Sequence, residues 1–303
     1  MRSLLVGLVS LLAVALLSIH PALACSVCGC DPAASTLGLD RPSNGSFRFA
    51  LEDRVLQKES GTGDDAESER ENRILLRAQY APFHSVVLQA EVPYFTWKRH
   101  LNAEGVNDDT AQGFGDATLG ARFELFRSGI EARHVLSLLG SLKMPTGANS
   151  RVVKGEDAPD EHIQLGTGSW DQTVGLSYTY GPRPWTLFAN VQGRLNTANS
   201  RGFRYGHALF ATAGARRSFL ESGRLIGSLE AQLRTAGFDR LSDGSVDPDS
   251  GGSVLYSTAS VAYALTPDLM MRGIFQVPTA TWLHGTQSEH PVAYVALSYD
   301  FEM

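Results

Sequence analysis

The sequence predicts an all-β fold, a 12-stranded antiparallel transmembrane β-barrel, from three observations. Apolar and polar residues alternate with a period of two from residue 45 onward. There are twelve alternating runs, and bacterial single-chain barrels have an even number of strands. Short and long connections follow one another strictly, which is typical of a barrel with short periplasmic turns and long extracellular loops.

The composition of the 303-residue chain excludes several other classes of protein. With 43% hydrophobic residues, 19% charged residues and 30 glycines, it is unlike a disordered chain or a coiled coil. A formal charge of −6 without a basic tract argues against a nucleic-acid partner. After the first twenty residues no apolar run reaches the roughly 18 residues that a membrane-spanning helix needs.

Residues 1–24 have the features of a secretory signal peptide, the first of three predicted regions. Arg2 supplies a basic start, and an apolar stretch follows it. Ala22 and Ala24 supply the small residues at positions −3 and −1 of a cleavage site. The mature chain would then begin at Cys25, outside the reducing cytoplasm.

The second region, residues 25–44, is a periplasmic segment that holds all three cysteines, Cys25, Cys28 and Cys30. Because three is an odd number, a single disulfide leaves one thiol over. Three interpretations stay open: an ordinary disulfide, a soft metal ion such as Cu(I) or Zn held by the thiolates, or acylation of Cys25. The segment could also fold into the lumen as a plug. No other cofactor is expected.

The third region, residues 45–303, contains the barrel. Its runs exceed the roughly 5–6 residues of soluble strands and approach the roughly 9–11 of a tilted membrane-spanning strand. The runs lie at about 47–55, 73–80, 86–92, 116–125, 133–144, 170–180, 185–195, 205–217, 224–234, 253–265, 269–278 and 291–303. The long loops lie at about 58–72, 98–112, 146–162, 196–204, 235–252 and 280–290. Both termini would therefore be periplasmic.

The polar faces of the strands are expected to point into the lumen. An Arg or Lys side chain that faces lipid at mid-membrane destabilises a barrel by roughly 2–4 kcal/mol. Most strands have at least one basic residue on their polar face. The lumen is thus predicted to be polar and of mixed charge. Its permeation candidates are Arg77, Glu91, Asp116, Arg122, Arg133, Lys143, Asp171, Arg194, Arg234 and Arg272.

Asp116 and Asp171 are expected to form structural ion pairs with Arg77, Arg122 or Arg133, or else to line the permeation path. The aromatic residues that fall on lumenal phases are Phe95, Trp97, Phe188 and Tyr256. Three residues break the alternation, namely Asp53, His134 and Arg217, and we expect the first and last of them near the membrane interfaces.

The acidic loops 58–72 and 235–252 indicate a negatively charged outer face. Divalent cations could bridge these loops to lipopolysaccharide, or the loops could simply be solvated. Catalysis is not expected, because the histidines are scattered and no Gly-x-Ser-x-Gly nucleophile elbow occurs. His134 and Ser137 are three residues apart and would face opposite sides of one strand.

Five segments carry a family likeness: Glu-Val-Pro-Tyr at 91–94 and the stretches 113–123, 142–147, 164–171 and 297–301. In order and spacing they resemble the bacterial outer-membrane barrel family named for a MetA pathway of phenol degradation. The resemblance implies an outer-membrane channel or transporter for small solutes, among them hydrophobic or aromatic compounds. It also implies contact with outer-membrane lipid and lipopolysaccharide. The closing Tyr299-x-Phe301 is similar to the signal that barrel-assembly machinery recognises on last strands.

The sequence is also compatible with a second function. In that interpretation the barrel is a scaffold, and the cysteine segment at 25–44 handles a metal or redox equivalents in the periplasm.

Overall fold

The computed structural model describes residues 42–60, 67–102, 109–129, 134–152, 159, 161, 163–220 and 223–302. In this part of the chain no helix is long and apolar enough to cross a bilayer. The strands are β1 (Phe47–Ser60), β2 (Glu67–Phe83), β3 (Val86–Asn102), β4 (Asp109–Phe114), β5 (Thr118–Ser128), β6 (His134–Lys143), β7 (Asp171–Tyr180), β8 (Trp185–Leu195), β9 (Ala208–Ser218), β10 (Leu225–Ala236), β11 (Gly252–Ala264), β12 (Leu269–Leu283), β13 (Ser288–Glu289) and β14 (Val292–Phe301).

These strands close into a barrel. The first strand, β1, pairs antiparallel with β2 on one side and with β14 on the other. Both β4 and β5 pair with β3, so they form one wall strand that is interrupted at residues 115–117. In the same way β13 continues β14 along β1. The wall therefore has twelve antiparallel strands, which confirms the predicted fold.

The two faces of the wall have opposite character. Large apolar side chains cover the outside, as shown by Leu229 and Val174, which are 69% and 62% exposed. Inside, the polar side chains of Arg234, Gln232 and Gln276 are almost completely buried. A soluble barrel has the reverse arrangement. The chain is thus a barrel of the outer-membrane type, with lipid around it and a polar lumen.

Aromatic side chains gather at the periplasmic ends of the strands. Phe47 stacks on Tyr80 with ring centroids 4.3 Å apart. Arg217, one of the residues that break the alternation, lies over the rings of Trp185 and Phe219 at 5.3 and 5.5 Å. Interfacial aromatic girdles are typical of membrane barrels, so the position of Arg217 agrees with its predicted place near an interface.

Two of the predicted loops, 58–72 and 98–112, are largely strand instead. β1 runs to Ser60 and β2 begins at Glu67, while β3 runs to Asn102 and β4 begins at Asp109. Charged side chains hold these extensions together, because Lys98 of β3 binds the Glu69 carboxylate of β2 at 2.9 Å.

For two acidic residues of the segment 58–72 the predicted position on the outer face is wrong, whereas Asp64 and Asp65 lie outside the described residues. Glu69 and Glu71 are buried in the lumen, where Lys98 and Arg73 are their partners.

A β-bulge at Thr96 changes the orientation of the chain beside it. Arg73 pairs with Phe95 and Asn72 pairs with Trp97, so Thr96 has no opposite residue. Phe95 and Lys98, on the two sides of the bulge, are both buried in the lumen. Because neighbouring residues of a strand face opposite sides, Trp97 lies on the outer surface. The expectation of a lumenal Trp97 is thus wrong, since a bulge reverses the alternation beyond it.

Candidate functional site

The lumen holds a cavity of about 230 Å³ toward the extracellular ends of the strands. One side of it is formed by the segment Gln164–Thr167, which belongs to the connection between β6 and β7. That segment packs inward, since Lys98 donates a hydrogen bond to the carbonyl of Gln164 at 3.0 Å and Ile163 is fully buried beside Ala111. The connection was predicted to be an outer loop, but its described part narrows the lumen.

Charged side chains around the cavity meet in pairs of opposite sign. Except in Arg73–Glu71, which lies within β2, the partners come from different segments of the wall, so those pairs also brace it. The pairs are Lys98–Glu69 at 2.9 Å, Arg73–Glu71 at 3.6 Å, Arg77–Glu91 at 2.5 Å, Arg234–Glu289, and Lys143 with both Asp116 and Asp171. Pairing of this kind reduces the net field that a solute meets at the wall.

Apolar and aromatic side chains lie among these pairs. The Phe95 ring has the Arg73 guanidinium and the Lys98 ammonium near it, 5.7 and 5.9 Å from its centroid. Arg234 lies 5.7 Å from the centre of the Tyr256 ring. Further apolar lining comes from Leu56, Leu75, Leu165 and Val292. The cavity is amphipathic, and Phe188 and Tyr256 are on the lumenal side as predicted.

Asp116 organises one side of the cavity. Its Oδ1 accepts a hydrogen bond from the Gly147 N–H at 2.9 Å. Its Oδ2 accepts hydrogen bonds from the Thr167 N–H at 2.7 Å and the Thr167 hydroxyl at 2.8 Å. The Lys143 ammonium lies 3.6 Å from the same oxygen. One carboxylate thus joins three segments that are far apart in the sequence.

Three glycines allow these segments to approach so closely. A Cβ on Gly147 would lie 2.8 Å from the Gly166 Cα and 2.9 Å from the Gly115 Cα. A Cβ on Gly166 would lie 2.7 Å from the Gly147 Cα. Real Cβ atoms essentially never come that near to other backbone atoms. The family-like stretches 113–123, 142–147 and 164–171 therefore meet at one place, which we call the Asp116 junction.

Asp171 stabilises the opposite side of Lys143. It accepts hydrogen bonds from the Ser169 hydroxyl at 3.0 Å and the Thr197 N–H at 3.1 Å, and it binds the Lys143 ammonium. Lys143 is the cross-strand partner of both Thr118 and Asp171, so the register places it between the two acidic residues.

For Arg77 and Arg122 the expected pairing with Asp116 and Asp171 is wrong, because Lys143 is the cation that binds both carboxylates. Arg77 binds Glu91, and the Arg122 Nε donates to the Ser137 hydroxyl at 3.1 Å. Arg133 lies outside the described residues. The cross-strand register decides these partners, and it cannot be read from the order of the residues.

The other permeation candidates divide between two levels of the lumen. Glu91, Asp116, Lys143, Arg194 and Arg234 line the main cavity, and Asp171 supports it from behind Lys143. Arg122 and Arg272 lie toward the periplasm, each beside a smaller space of about 50 or 60 Å³. Cys25, Cys28 and Cys30 fall outside the described residues. Within the described ranges no group of three or more His, Cys, Asp or Glu could hold a metal ion.

His134 is on the lipid side of the wall. Its ring stacks on Tyr180 at 4.6 Å, and its Nδ1 is 2.7 Å from the Tyr178 hydroxyl. Ser137 is completely buried on the lumenal side. The two residues thus face opposite sides of β6, as predicted, and do not form a nucleophile–base pair.

The outer loop between β10 and β11 carries an exposed acidic residue. Asp243 accepts hydrogen bonds from the Ser245 hydroxyl at 2.6 Å and the Ser245 N–H at 2.8 Å. These hydrogen bonds lower the pKa of Asp243 below its usual range. This loop therefore keeps a negative charge at neutral pH, as expected for the segment 235–252.

Comparison with known proteins agrees with this architecture. A family model described as "Putative MetA-pathway of phenol degradation" matches residues 39–291. No curated protein sequence matches the chain.

Three solved structures share the fold. An outer membrane channel from Pseudomonas putida F1 is 14% identical with a TM-score of 0.68, and the match covers 90% of this chain and all of that one. The translocator domain of the autotransporter NalP from Neisseria meningitidis is 11% identical with a TM-score of 0.53, covering 89% and 93%. The β domain of the Bordetella autotransporter BrkA is also 11% identical, with a TM-score of 0.51 and coverage of 85% and 100%.

Proposed function

Since the chain belongs to the family described as "Putative MetA-pathway of phenol degradation", we propose that it is an outer-membrane channel for small solutes with an apolar or aromatic part. The amphipathic cavity is the observation that carries this proposal. A simple ion channel would need no aromatic lining, whereas Phe95 and Tyr256 offer flat apolar surfaces between paired charges. The similarity to an outer membrane channel of known structure supports it.

The cavity suits a solute that is partly polar. Its paired charges and amides offer hydrogen bonds, and its rings and aliphatic side chains replace the water around an apolar group. A volume of about 230 Å³ is below the roughly 300–1,000 Å³ of drug-sized pockets, so it fits a single small ring better than a larger molecule. The lumenal candidates Arg77, Glu91, Asp116, Arg122, Lys143, Asp171, Arg194, Arg234 and Arg272 would shape this path, and none is assigned a catalytic role.

Planar-bilayer conductance of the refolded mature protein tests the channel directly. The same recording on a chain without residues 25–44 tests the predicted plug. Stepwise openings in the intact protein support a channel, and openings only after the deletion support a plugged channel. The absence of conductance in both preparations contradicts the passage of ions through the barrel. Uptake of solute into liposomes then decides whether an uncharged solute passes.

The proposal includes a route to the membrane. Residues 1–24 act as a signal peptide, and the last strand with Tyr299 and Phe301 is presented to the assembly machinery. In the membrane the barrel contacts lipid and lipopolysaccharide.

The cysteine segment stays a separate prediction. Mass spectrometry of the native mature protein, with and without a chelator, would detect a soft metal at Cys25, Cys28 and Cys30. A disulfide without metal removes the support for the scaffold alternative.

A further inference from the structure

Two arginines face each other on the outer surface of the barrel. Arg70 of β2 is the direct cross-strand partner of Arg99 of β3, and both side chains are exposed. The residues next to them, Glu69 and Lys98, are buried in the lumen and bind each other, so Arg70 and Arg99 point outward. Like charges directly opposite each other destabilise a sheet.

No carboxylate of the described residues neutralises this pair. Neither guanidinium makes an ion pair or a side-chain hydrogen bond within that part of the chain. Two acidic residues of β1 lie on the outer face. Asp53 accepts a hydrogen bond from the Asn72 amide at 2.6 Å. The other, Glu59, is two positions along from Gln57, the cross-strand partner of Arg70. It is bound instead by the Gln57 amide at 2.7 Å and by His290 at 3.3 Å. Among the described residues, the two positive charges thus have no carboxylate as counter-ion.

The height of the pair above the periplasmic rim indicates what surrounds it. Tyr80, in the periplasmic aromatic girdle, is ten residues along β2 from Arg70. A strand rises about 3.3 Å per residue, and a tilt of about 40° leaves about 2.5 Å of that rise along the membrane normal. Ten residues therefore span about 25 Å, which is the height of the apolar band of an outer-membrane barrel.

The side chains beneath the arginines mark the same boundary. Trp97 lies on the outer surface two residues before Arg99, and tryptophan is enriched where the bilayer meets water. Val55, 52% exposed, is the last large apolar residue on the outer face of β1 before Gln57. Arg70 and Arg99 accordingly lie at the level of the lipid headgroups, on the side of the long strand extensions.

We propose that Arg70 and Arg99 form a binding site for a phosphate group of lipopolysaccharide, on its lipid A portion. A phosphate between two guanidinium groups accepts paired hydrogen bonds from both of them and removes their mutual repulsion. Gln57 and Thr110 continue the same row on either side, so polar groups flank the arginines. The inference depends on the proposed place in the outer membrane and is independent of the solute.

Binding of purified lipid A to the detergent-solubilised full barrel tests this site. The test variant is Arg70→Gln/Arg99→Gln. The control is Arg240→Gln, which makes the same substitution at an exposed arginine of an outer loop. We expect the double variant to bind bisphosphorylated lipid A at least about tenfold more weakly, since each basic residue near an anionic lipid surface strengthens binding several-fold. Arg240→Gln should bind as the unchanged protein does.

Further binding measurements decide whether the phosphate groups of lipid A, the charge of the arginines or free phosphate accounts for the binding. Dephosphorylated lipid A should bind all variants alike, and Arg70→Lys/Arg99→Lys should retain part of the affinity because the charge remains. Inorganic phosphate at the same concentration should not compete, because it lacks the acyl chains that hold lipid A at this height. Unchanged lipid A affinity in the glutamine double variant, or an equal loss in Arg240→Gln, overturns the proposal.

Conductance of the same preparations separates this test from that of the channel. Arg70 and Arg99 are outside the lumen, so the double variant should conduct as the unchanged protein does. A folded barrel, checked by its heat-modifiable electrophoretic mobility, is required of every variant. If the unchanged protein fails to conduct yet binds lipid A through these residues, only the proposed function is lost.

Discussion

Arg234 of β10 and Glu289 of β13 form an ion pair on the inside of the barrel, and their side chains are only 2% and 3% exposed. Since β13 continues β14 as one strand of the wall, the two strands β11 and β12 lie between it and β10, so this pair is not a contact between hydrogen-bonded neighbours. It connects distant parts of the wall at the extracellular end of the lumen. Arg234 also lies over the Tyr256 ring, which joins the pair to the aromatic lining of the cavity.

The substitution Glu289→Gln should destabilise the barrel strongly. It leaves the buried Arg234 guanidinium without its carboxylate, and removing one partner of a buried pair typically costs about 3–5 kcal/mol. Urea unfolding of the refolded protein in micelles measures the change. Asp300→Asn is the control, because the Arg48–Asp300 pair is also a carboxylate bound by an arginine but is 17% and 29% exposed, so water reaches both partners and the loss should be smaller. Equal losses in the two variants would contradict the role given to burial.

Asp116→Asn should loosen the segments that meet at the Asp116 junction. An amide retains one acceptor oxygen, so either Gly147 or Thr167 loses its hydrogen-bond partner, and Lys143 loses one of its two carboxylates. The expected cost is about 1–3 kcal/mol in unfolding free energy. Conductance noise should rise in parallel, because the inward segment is less firmly held.

Asp243→Asn is the control for that change. Asp243 is in an exposed loop, and both of its hydrogen bonds from Ser245 go to one carboxylate oxygen, an acceptor that the amide retains, so the unfolding free energy should change little. If Asp116→Asn were as mild as this control, the junction would not depend on the carboxylate.

Gly166→Ala should be far more harmful than Gly140→Ala. The added Cβ at residue 166 would come within 2.7 Å of the Gly147 backbone, whereas the space around Gly140 is open to 4 Å. Forcing extra atoms into a packed contact typically costs about 1–3 kcal/mol. Thermal unfolding followed by circular dichroism compares the two variants, and similar midpoints would show that the three segments can separate without loss.

Phe95→Ala should lower the preference of the channel for aromatic solutes. An aromatic contact contributes about 0.5–1.5 kcal/mol beyond its buried area, so the uptake ratio of phenol to a pentose sugar should fall about two- to tenfold. Liposomes loaded with the protein measure both uptake rates. Phe49→Ala removes the same ring from the lipid side, where Phe49 is 51% exposed, and should leave the ratio unchanged. A fall in both variants would trace the effect to general destabilisation.

Predictions from the sequence succeeded where each face of a strand contacts a single environment, either lipid or the lumen. It predicted the twelve wall strands, the inward arginines and the outward His134, because the alternation is read directly from neighbouring residues. It failed at Trp97 and at the ends of the first four strands. A bulge and cross-strand ion pairs such as Lys98–Glu69 decide those features, and both involve residues that are distant in the sequence.

The residue order decides the class of this protein, because the long alternating runs and the strict succession of short and long connections together specify a membrane barrel, whereas alternation alone also fits a soluble barrel. The tertiary structure decides the site. Lys143 reaches Asp116 and Asp171 because the register aligns β5, β6 and β7, and Gly115, Gly147 and Gly166 meet because the connection after β6 folds inward. The alternation reflects the transfer free energy of each side chain between water and lipid, so it can be read residue by residue. Strand register and the inward folding of a connection depend on many contacts that form together, so only the closed barrel defines them.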